Sequence, residues 1–451
     1  MAQDLRSYLD LVKRRRPDEL VFVSRPIDPA WEITALVVKL EREARRRPVL
    51  VFEDVKGTRF PVLTNLHASR SRLALAIGAT PDATLPTYLR AMERPLAPRV
   101  VASGPVQEVV LRGRDVDLGA LPQILHHEGD GGVFITSAIS FAKDPTADTW
   151  NCAFNRLMLK GRDTTSIHLT LGKHLWEFHR LAEARNEPLP VAFAIGAHPA
   201  IALGALAIGS VDEDERGIMG GLLGEPLELV KCETSDVLVP AHAEMVIEAE
   251  ILPHERTAEG PFGEFTGYSL GERQREVVKV RAITHRRDAY FQDISVAHLD
   301  HMLLSTIPIE ANLYRAIRAM VPTVKAVRVP APFTCYVSIH QRIVGQAKNA
   351  ILAALGSDLY MKRVVVVDDD VDVFDDRQIN WALATRAQPD RDFLVVTHAR
   401  GSDLDPSTRE DGYSGKWGID ATAKPSLEAY TPRHRVPRDV YDRLDLKSFL
   451  P

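Results

Sequence analysis

The chain has 451 residues, 45% hydrophobic and 26% charged, with a formal net charge of −5. That balance suits a globular protein of two or three domains and argues against a nucleic-acid binder, which presents a basic face. Cys152, Cys232 and Cys335 are too few and too scattered for a disulfide scaffold or a Cys-rich zinc site and fit a reducing cytoplasm, and no apolar run approaches the roughly 18 residues of a membrane span.

The chain opens on MAQDLRSYLDLVKRRR, a charged amphipathic helix rather than a signal peptide. Asp28-Pro29 predicts an N-cap with proline at the first helical position, followed by a helix with Trp31, Ile33, Leu36, Val37 and Leu40 on its apolar side. Residues 48–53 and 61–64 read as strands. The runs Arg14–Arg16 and Arg45–Arg47 follow helical patterns, where cations favour a helix C-terminus. Residues 1–112 are therefore expected to form a small α/β unit.

Residues 113–312 are richer in short strand patterns: 133–140, 189–195, 227–231 and 244–251, interrupted by a helix from about Leu175 to Arg185. Many short strands with intervening turns suggest an antiparallel barrel or sandwich. Residues 313–451 return to α/β, with helices at 348–355 and 376–386 and a buried-strand pattern at 363–368. The tail after about 400 is rich in Gly, Ser, Pro and Asp and is expected to wrap the surface or a partner chain.

The chemistry concentrates in Glu259-Gly-Pro-Phe-Gly-Glu264. Proline and two glycines exclude a helix interior, so the spacer reads as a stiff turn presenting two carboxylates to one place. Two acids in a partly apolar pocket have unequal proton affinities, which suits proton transfer to carbon. An ordinary turn flanked by solvated glutamates fits the same residues. Arg156 is a partner for an acid such as Glu259; it would favour that acid's ionised form and leave a second acid to carry a proton.

Asn151, His174 and Glu215 lie on different elements. An amide oxygen, an imidazole and a carboxylate suit Mn²⁺ or Mg²⁺, with phosphate oxygens or water completing the shell. Each also has a plain reading: His174 opens a helix at the surface, and Glu215 belongs to the run 212–216, typical of a solvated loop.

Seven segments in order resemble the UbiD family of decarboxylases. They are Leu121–Thr136 with its Gly129-Asp-Gly-Gly132 core, Asn151-Cys-Ala-Phe-Asn-Arg156, 227–232, 259–264, 344–349, 381–386 and 414–424. The resemblance implies a mixed α/β chain with a central split β-barrel that binds flavin and a C-terminal α/β dimerisation domain. It implies reversible, non-oxidative decarboxylation of an aromatic, heteroaromatic or α,β-unsaturated acid on prenylated FMN. Asn151, His174 and Glu215 would hold Mn²⁺ (or Mg²⁺) against the cofactor phosphate. K⁺ would lie nearby on Glu215 and the backbone of Cys152, Gly204, Ala205 and Ala207. Lys173, Ala207, Ile208, Arg156 and Lys348 would meet the cofactor. Arg156, Glu259 and Glu264 would form the acid–base network, with Glu264 as proton donor.

His298, Asp300 and His301 fall in the substrate-facing stretch implied by the resemblance, and each is equally suited to structural hydrogen bonding. Lys173 stands where some relatives carry an uncharged polar residue, and Ala205 and Ala207 replace larger ones. The expected partners are a planar carboxylic acid, a flavin prenyltransferase as cofactor supplier, and further copies of the chain as a dimer or hexamer. Neither nucleic acid nor membrane is expected, and the location is cytoplasmic. Two other classes remain: an oxidoreductase using ordinary FMN, and a non-catalytic subunit of a carboxylase complex.

Overall fold

The computed structural model describes residues 3–209, 213–409, 412–424, 433–434 and 436–449. The amphipathic start forms a helix, Leu5–Arg15, capped by Asp4, which accepts a hydrogen bond from the Ser7 N–H at 2.7 Å. Leu5, Tyr8, Leu9 and Val12 face Val49, Val51 and Leu63 of a four-stranded layer. Its strands are Leu20–Val23, Val49–Phe52, Val62–Thr64 and Phe291–Gln292, so one strand arrives from far along the chain.

The helix expected after Asp28-Pro29 begins later, at Glu32. Asp28 accepts from the Ala30 N–H at 2.9 Å and closes a local turn, and Trp31, at φ 66, stands at the N-cap.

The central sheet has nine strands. They are β1 (Val109–Arg112), β2 (Phe134–Ile135), β3 (Ile139–Lys143), β4 (Trp150–Phe154), β5 (Leu157–Leu159), β6 (Thr164–Ile167), β7 (Leu189–Ile195), β8 (Met245–Glu259) and β9 (Arg273–His285). The order is β2-β5-β6-β9-β8-β7-β3-β4, with β1 also on β9, and the pairings are antiparallel. The sheet curls into a half-barrel, as expected of a split barrel. The segment 133–140, expected as one strand, is two. The break falls at Thr136 and Ser137, whose hydroxyls donate to Asp293 and to the Gln292 carbonyl.

Both faces of the sheet are covered. Along β7, Val191, Phe193 and Ile195 join one apolar cluster, while Ala192 and Ala194 join another. This period-two split explains why β7 reads as an unbroken apolar run. Helix α1 (His174–Glu183) packs on the first face, and α2 (Pro199–Gly204) and α3 (Glu215–Leu223) on the second.

The 22-residue helix α4 (Leu299–Met320) runs from this unit into the C-terminal one. That unit holds a five-stranded sheet in the order 324–331, 334–339, 363–368, 413–420 and 393–400. Part of the tail is therefore interior: 413–420 is a sheet strand, with Gly418 opposite Val364. Residues 425–432 lie outside the described residues. β1 belongs to the central sheet, so the first boundary falls before 112, and α4 straddles the one set at 312. Among the described residues no helix is long and apolar enough to cross a membrane.

Candidate active site

Glu259 ends β8, paired opposite Arg273, and the chain then turns through Gly260 (φ 99). Phe262–Gly263 pairs briefly with Ser269–Leu270. The 127–132 loop braces this turn. The Gly131 N–H donates to the Pro261 carbonyl at 2.8 Å, and Asp130 accepts from the N–H groups of Gly263 (3.3 Å) and His127 (2.9 Å). A Cβ at Gly131 would collide with the Gly260 carbonyl, so only glycine admits this approach.

The two carboxylates converge on Arg156, in the bend between β4 and β5. Its Nε donates to Glu259 Oε1 at 3.0 Å, and its Nη1 donates to Glu264 Oε1. The guanidinium lies over the Phe262 ring, 4.7 Å from the centroid. Ser166 Oγ donates to the other oxygen of Glu259 at 2.7 Å. Asn155 fixes the bend: its Nδ2 donates to the His168 carbonyl and its Oδ1 accepts from Ser140.

Burial raises the proton affinity of Glu264, with Arg156 opposing and the charges of Asp403 and Glu259 adding to the rise. Two nearby imidazoles, those of His168 and His301, are held neutral. Burial, then the Arg156 charge, lowers His168 to about 3. Burial lowers His301 to about 4, partly offset by Asp300 and reinforced by Arg156.

The second group assembles from β4, α1 and α3. Asn151 Nδ2 donates to Glu215 Oε1 at 3.1 Å, the Cys152 N–H donates to Glu215 Oε2 at 3.3 Å, and His174 Nδ1 lies 4.0 Å from Glu215 Oε1. Glu215 is 5% exposed, so the solvated-loop reading fails for it. Its described hydrogen-bond partners are neutral, and burial pushes its carboxyl up to about 7 despite them. Burial, then the Lys173 charge, lowers His174. A buried carboxylate without a cation, beside a neutral imidazole and an amide, fits a divalent ion. Among the described residues no three His, Cys, Asp or Glu side chains gather as a ligand set; here the third donor is an amide.

Gly204 ends α2 in close contact with Met219 of α3, where a Cβ would stand 2.5 Å from Met219 Cγ. Its carbonyl accepts from the Ala207 N–H at 3.0 Å. Ala205 and Cys152 share the apolar cluster that carries Met219, and Ala207 and Ile208 follow half-buried. Asn151 and Arg156 stand five positions apart, about 18 Å of chain at most.

The remaining expected residues divide. His301 Nδ1 is buried without a hydrogen-bond partner, and its ring meets Phe265 at 6.1 Å. His298 heads α4, stacks on His127 at 6.0 Å and lies 3.5 Å from Glu41. Asp300 is scaffold: fully buried, it accepts from the backbone N–H groups of His67 (2.6 Å), Asn65 (3.1 Å) and Ser295 (3.3 Å). No free carboxylate remains there for a substrate. Lys348 is exposed on the helix Gln346–Ser357 and donates to the Arg391 carbonyl at 3.1 Å, so this structure does not join it to Glu215.

Family profiles cover nearly the whole chain. The 3-octaprenyl-4-hydroxybenzoate carboxy-lyase N-terminal, Rift-related and C-terminal domains match residues 11–92, 99–299 and 302–421. The chain belongs to the UbiD family. This UbiD carboxy-lyase is 34% identical over 423 residues to the anhydromevalonate phosphate decarboxylase of Methanothermobacter thermautotrophicus, covering 93% of this chain and 96% of that one. It is 41% identical to the UbiD-class enzyme HmfF from Pelotomaculum thermopropionicum, solved with FMN, at TM-score 0.92 and covering 99% and 100% of the two chains. An evolved dimeric HmfF with prFMN gives 38% identity and TM-score 0.88, covering 100% of both. Klebsiella pneumoniae 3,4-dihydroxybenzoic acid decarboxylase, AroY, gives 30% and 0.91, covering 100% of this chain and 99% of that one.

Reading the residues one by one does not bring out Ser166, Asp130, Gly131, Asn155 or Phe265 in this UbiD site. The Gly129–Gly132 motif was a usable signal for two of them. For the others the contact is a fold-level event: Ser166 and Glu259 are 93 residues apart.

Proposed function

We propose that this enzyme reversibly and non-oxidatively decarboxylates a planar aromatic or heteroaromatic acid, or an α,β-unsaturated one, with prenylated FMN as cofactor. The observation that carries this reading is Arg156 bridging the two buried carboxylates Glu259 and Glu264. Prenylated FMN, when bound, supplies the sink for the electron density that departing CO₂ leaves on carbon.

The chain's own residues do the rest. Arg156 and Glu259, locked by Ser166, orient the substrate carboxylate. Two ionised acids would repel it, so Glu264 in its protonated form and the Arg156 charge make binding favourable. Glu264 then delivers its proton from the carboxyl oxygen to carbon after CO₂ has gone. His301, whose Nδ1 is buried without a hydrogen-bond partner, would face a planar substrate with its ring.

Asn151, His174 and Glu215 would hold Mn²⁺ or Mg²⁺ against the cofactor phosphate, anchoring it. K⁺ would share Glu215 with the carbonyls of Cys152, Gly204, Ala205 and Ala207. Lys173, Ala207, Ile208 and Lys348 complete the cofactor surroundings in this reading, and His298 joins His301 toward the substrate. Copies of the chain would assemble as a dimer or hexamer, and a flavin prenyltransferase would supply the cofactor.

The test is co-expression with a flavin prenyltransferase, then cofactor mass and spectrum, then CO₂ release from 3,4-dihydroxybenzoate, vanillate, 2-furoate and cinnamate. Prenylated FMN with CO₂ release supports the reading. Ordinary FMN with hydride transfer and no CO₂ release would replace it with the oxidoreductase class.

A further inference from the structure

The residue after Glu264 touches a different domain. The Phe265 ring lies 5.6 Å from Phe333 at 58° and 5.9 Å from Tyr360 at 84°. Phe333 and Tyr360 stack on each other at 6.5 Å, and both belong to the C-terminal domain. Only Phe265 of the three comes from the central one.

We propose that Phe265 is a positioning residue: it latches the C-terminal domain to the segment carrying Glu264, so that seating this domain sets where the proton donor points. The inference rests on reading Glu264 as the donor.

Three observations support it. First, beyond the brace that the 127–132 loop places on Pro261 and Gly263, the stretch that follows Glu264 has little else to hold it. Glu264 N–H donates to the Tyr268 carbonyl and Gly267 N–H to the Glu264 carbonyl, both within the same turn, and Tyr268 is 62% exposed. A segment tied mainly to itself opens at low cost unless another element holds it.

Second, Phe333 is held against its own preference. It sits between the strands 324–331 and 334–339 at φ 59, a left-handed conformation that a bulky residue rarely adopts. Its carbonyl accepts from the N–H groups of Lys362 (3.0 Å) and Arg363 (2.9 Å), which fix the turn and aim the ring across the boundary. Backbone held this way at a contact between domains points to a selected role.

Third, the same domain delivers charge to the same place. Asp403 adds to the rise in Glu264 proton affinity, after burial and against Arg156. Seating the domain thus supplies both the ring that holds Glu264's neighbour and a charge that favours its protonated form.

The decisive variant is Phe333→Gly in the holoenzyme. Glycine adopts φ 59 without strain, so folding is preserved while the ring is removed. Amide hydrogen exchange over residues 262–270, in the other domain, should quicken at least tenfold, with β7 unchanged. With whichever acid of the panel above is turned over, kcat should fall at least tenfold with KM within twofold, because Arg156 is untouched. Phe265→Ala should match it, the double variant should be no worse than the poorer single, and Phe333→Tyr should restore both readouts. Unchanged amide exchange in Phe333→Gly, or multiplying losses in the double variant, overturns the latch. If Glu264→Gln retains turnover, the donor reading fails instead; if Glu264→Gln is dead and Phe333→Gly is normal, the latch alone fails.

Discussion

Arg156 Nε donates to Glu259 Oε1 at 3.0 Å, and Ser166 occupies that acid's other oxygen, so Glu259 is committed at both ends. Glu264 shares the guanidinium but has no such second clamp among its described hydrogen bonds. The acid pair is therefore asymmetric. Glu264→Gln should keep bound cofactor and lose about 10²- to 10⁴-fold in kcat, the usual worth of a general acid. Glu259→Gln should act through binding, raising KM as Arg156 loses its anchor. Steady-state kinetics with absorbance of the bound cofactor decides both; full turnover in Glu264→Gln removes the donor assignment.

The pH profile follows from the sign of the Glu264 shift. Burial lifts its carboxyl above the ordinary value of 4.5, so the folded protein holds this proton where the unfolded chain releases it. Its contribution to stability is present below 4.5 and lost as pH rises through the folded value. The donor works only when protonated, so kcat should fall on the alkaline side of the same transition. The limb should vanish in Glu264→Gln measured on residual activity. A wild-type rate that rises through that range contradicts the assignment.

The metal reading predicts linked losses. Glu215→Gln keeps the shape of the side chain but removes the charge a divalent ion needs, and His174→Ala removes the imidazole. Each should release Mn²⁺ together with cofactor, read by elemental analysis and flavin absorbance on purified protein. Metal-free wild type with full cofactor occupancy rules the site out.

How much of this was legible depends on how far apart the contacting residues lie. The 259–264 turn was readable because proline and glycine forbid a helix locally. Arg156 meeting Glu259 spans 103 residues, yet charge type alone suggested the pair. Glu215 was harder: it sits in an acidic run, and only the docking of α3 onto β4, 63 residues away, buries it beneath the Cys152 amide. Asp300 shows the same limit in the other direction. Three backbone amides, two of them from the N-terminal layer, consume a carboxylate that its neighbours in sequence leave free.

That assignment of Asp300 is testable apart from catalysis. Asp300→Asn turns an acceptor oxygen into a donor facing backbone N–H groups in a fully buried site. The cost should be about 3 kcal/mol of unfolding free energy, the scale for a charged hydrogen bond lost and its partners stranded. Urea unfolding should show it, while KM of the folded fraction stays within twofold. A variant of normal stability with a raised KM would return Asp300 to the substrate.

Gly131 gives the sharpest steric test. A methyl group there would overlap the Gly260 carbonyl and stand 2.8 Å from Pro261 N, both backbone atoms of the turn that carries the acids. The turn must move, and displacement of about 1 Å at reacting groups can cost 10²-fold in rate. Gly131→Ala should therefore lose about a hundredfold in kcat. Gly161→Ala is the matched control: nothing lies within 4 Å of its added methyl, in the link from β5 to β6. Its kinetics should equal the wild type's. The 127–132 loop lies across the acid turn, so equal activity in the two variants would show that this bracing does not set the position of Glu264.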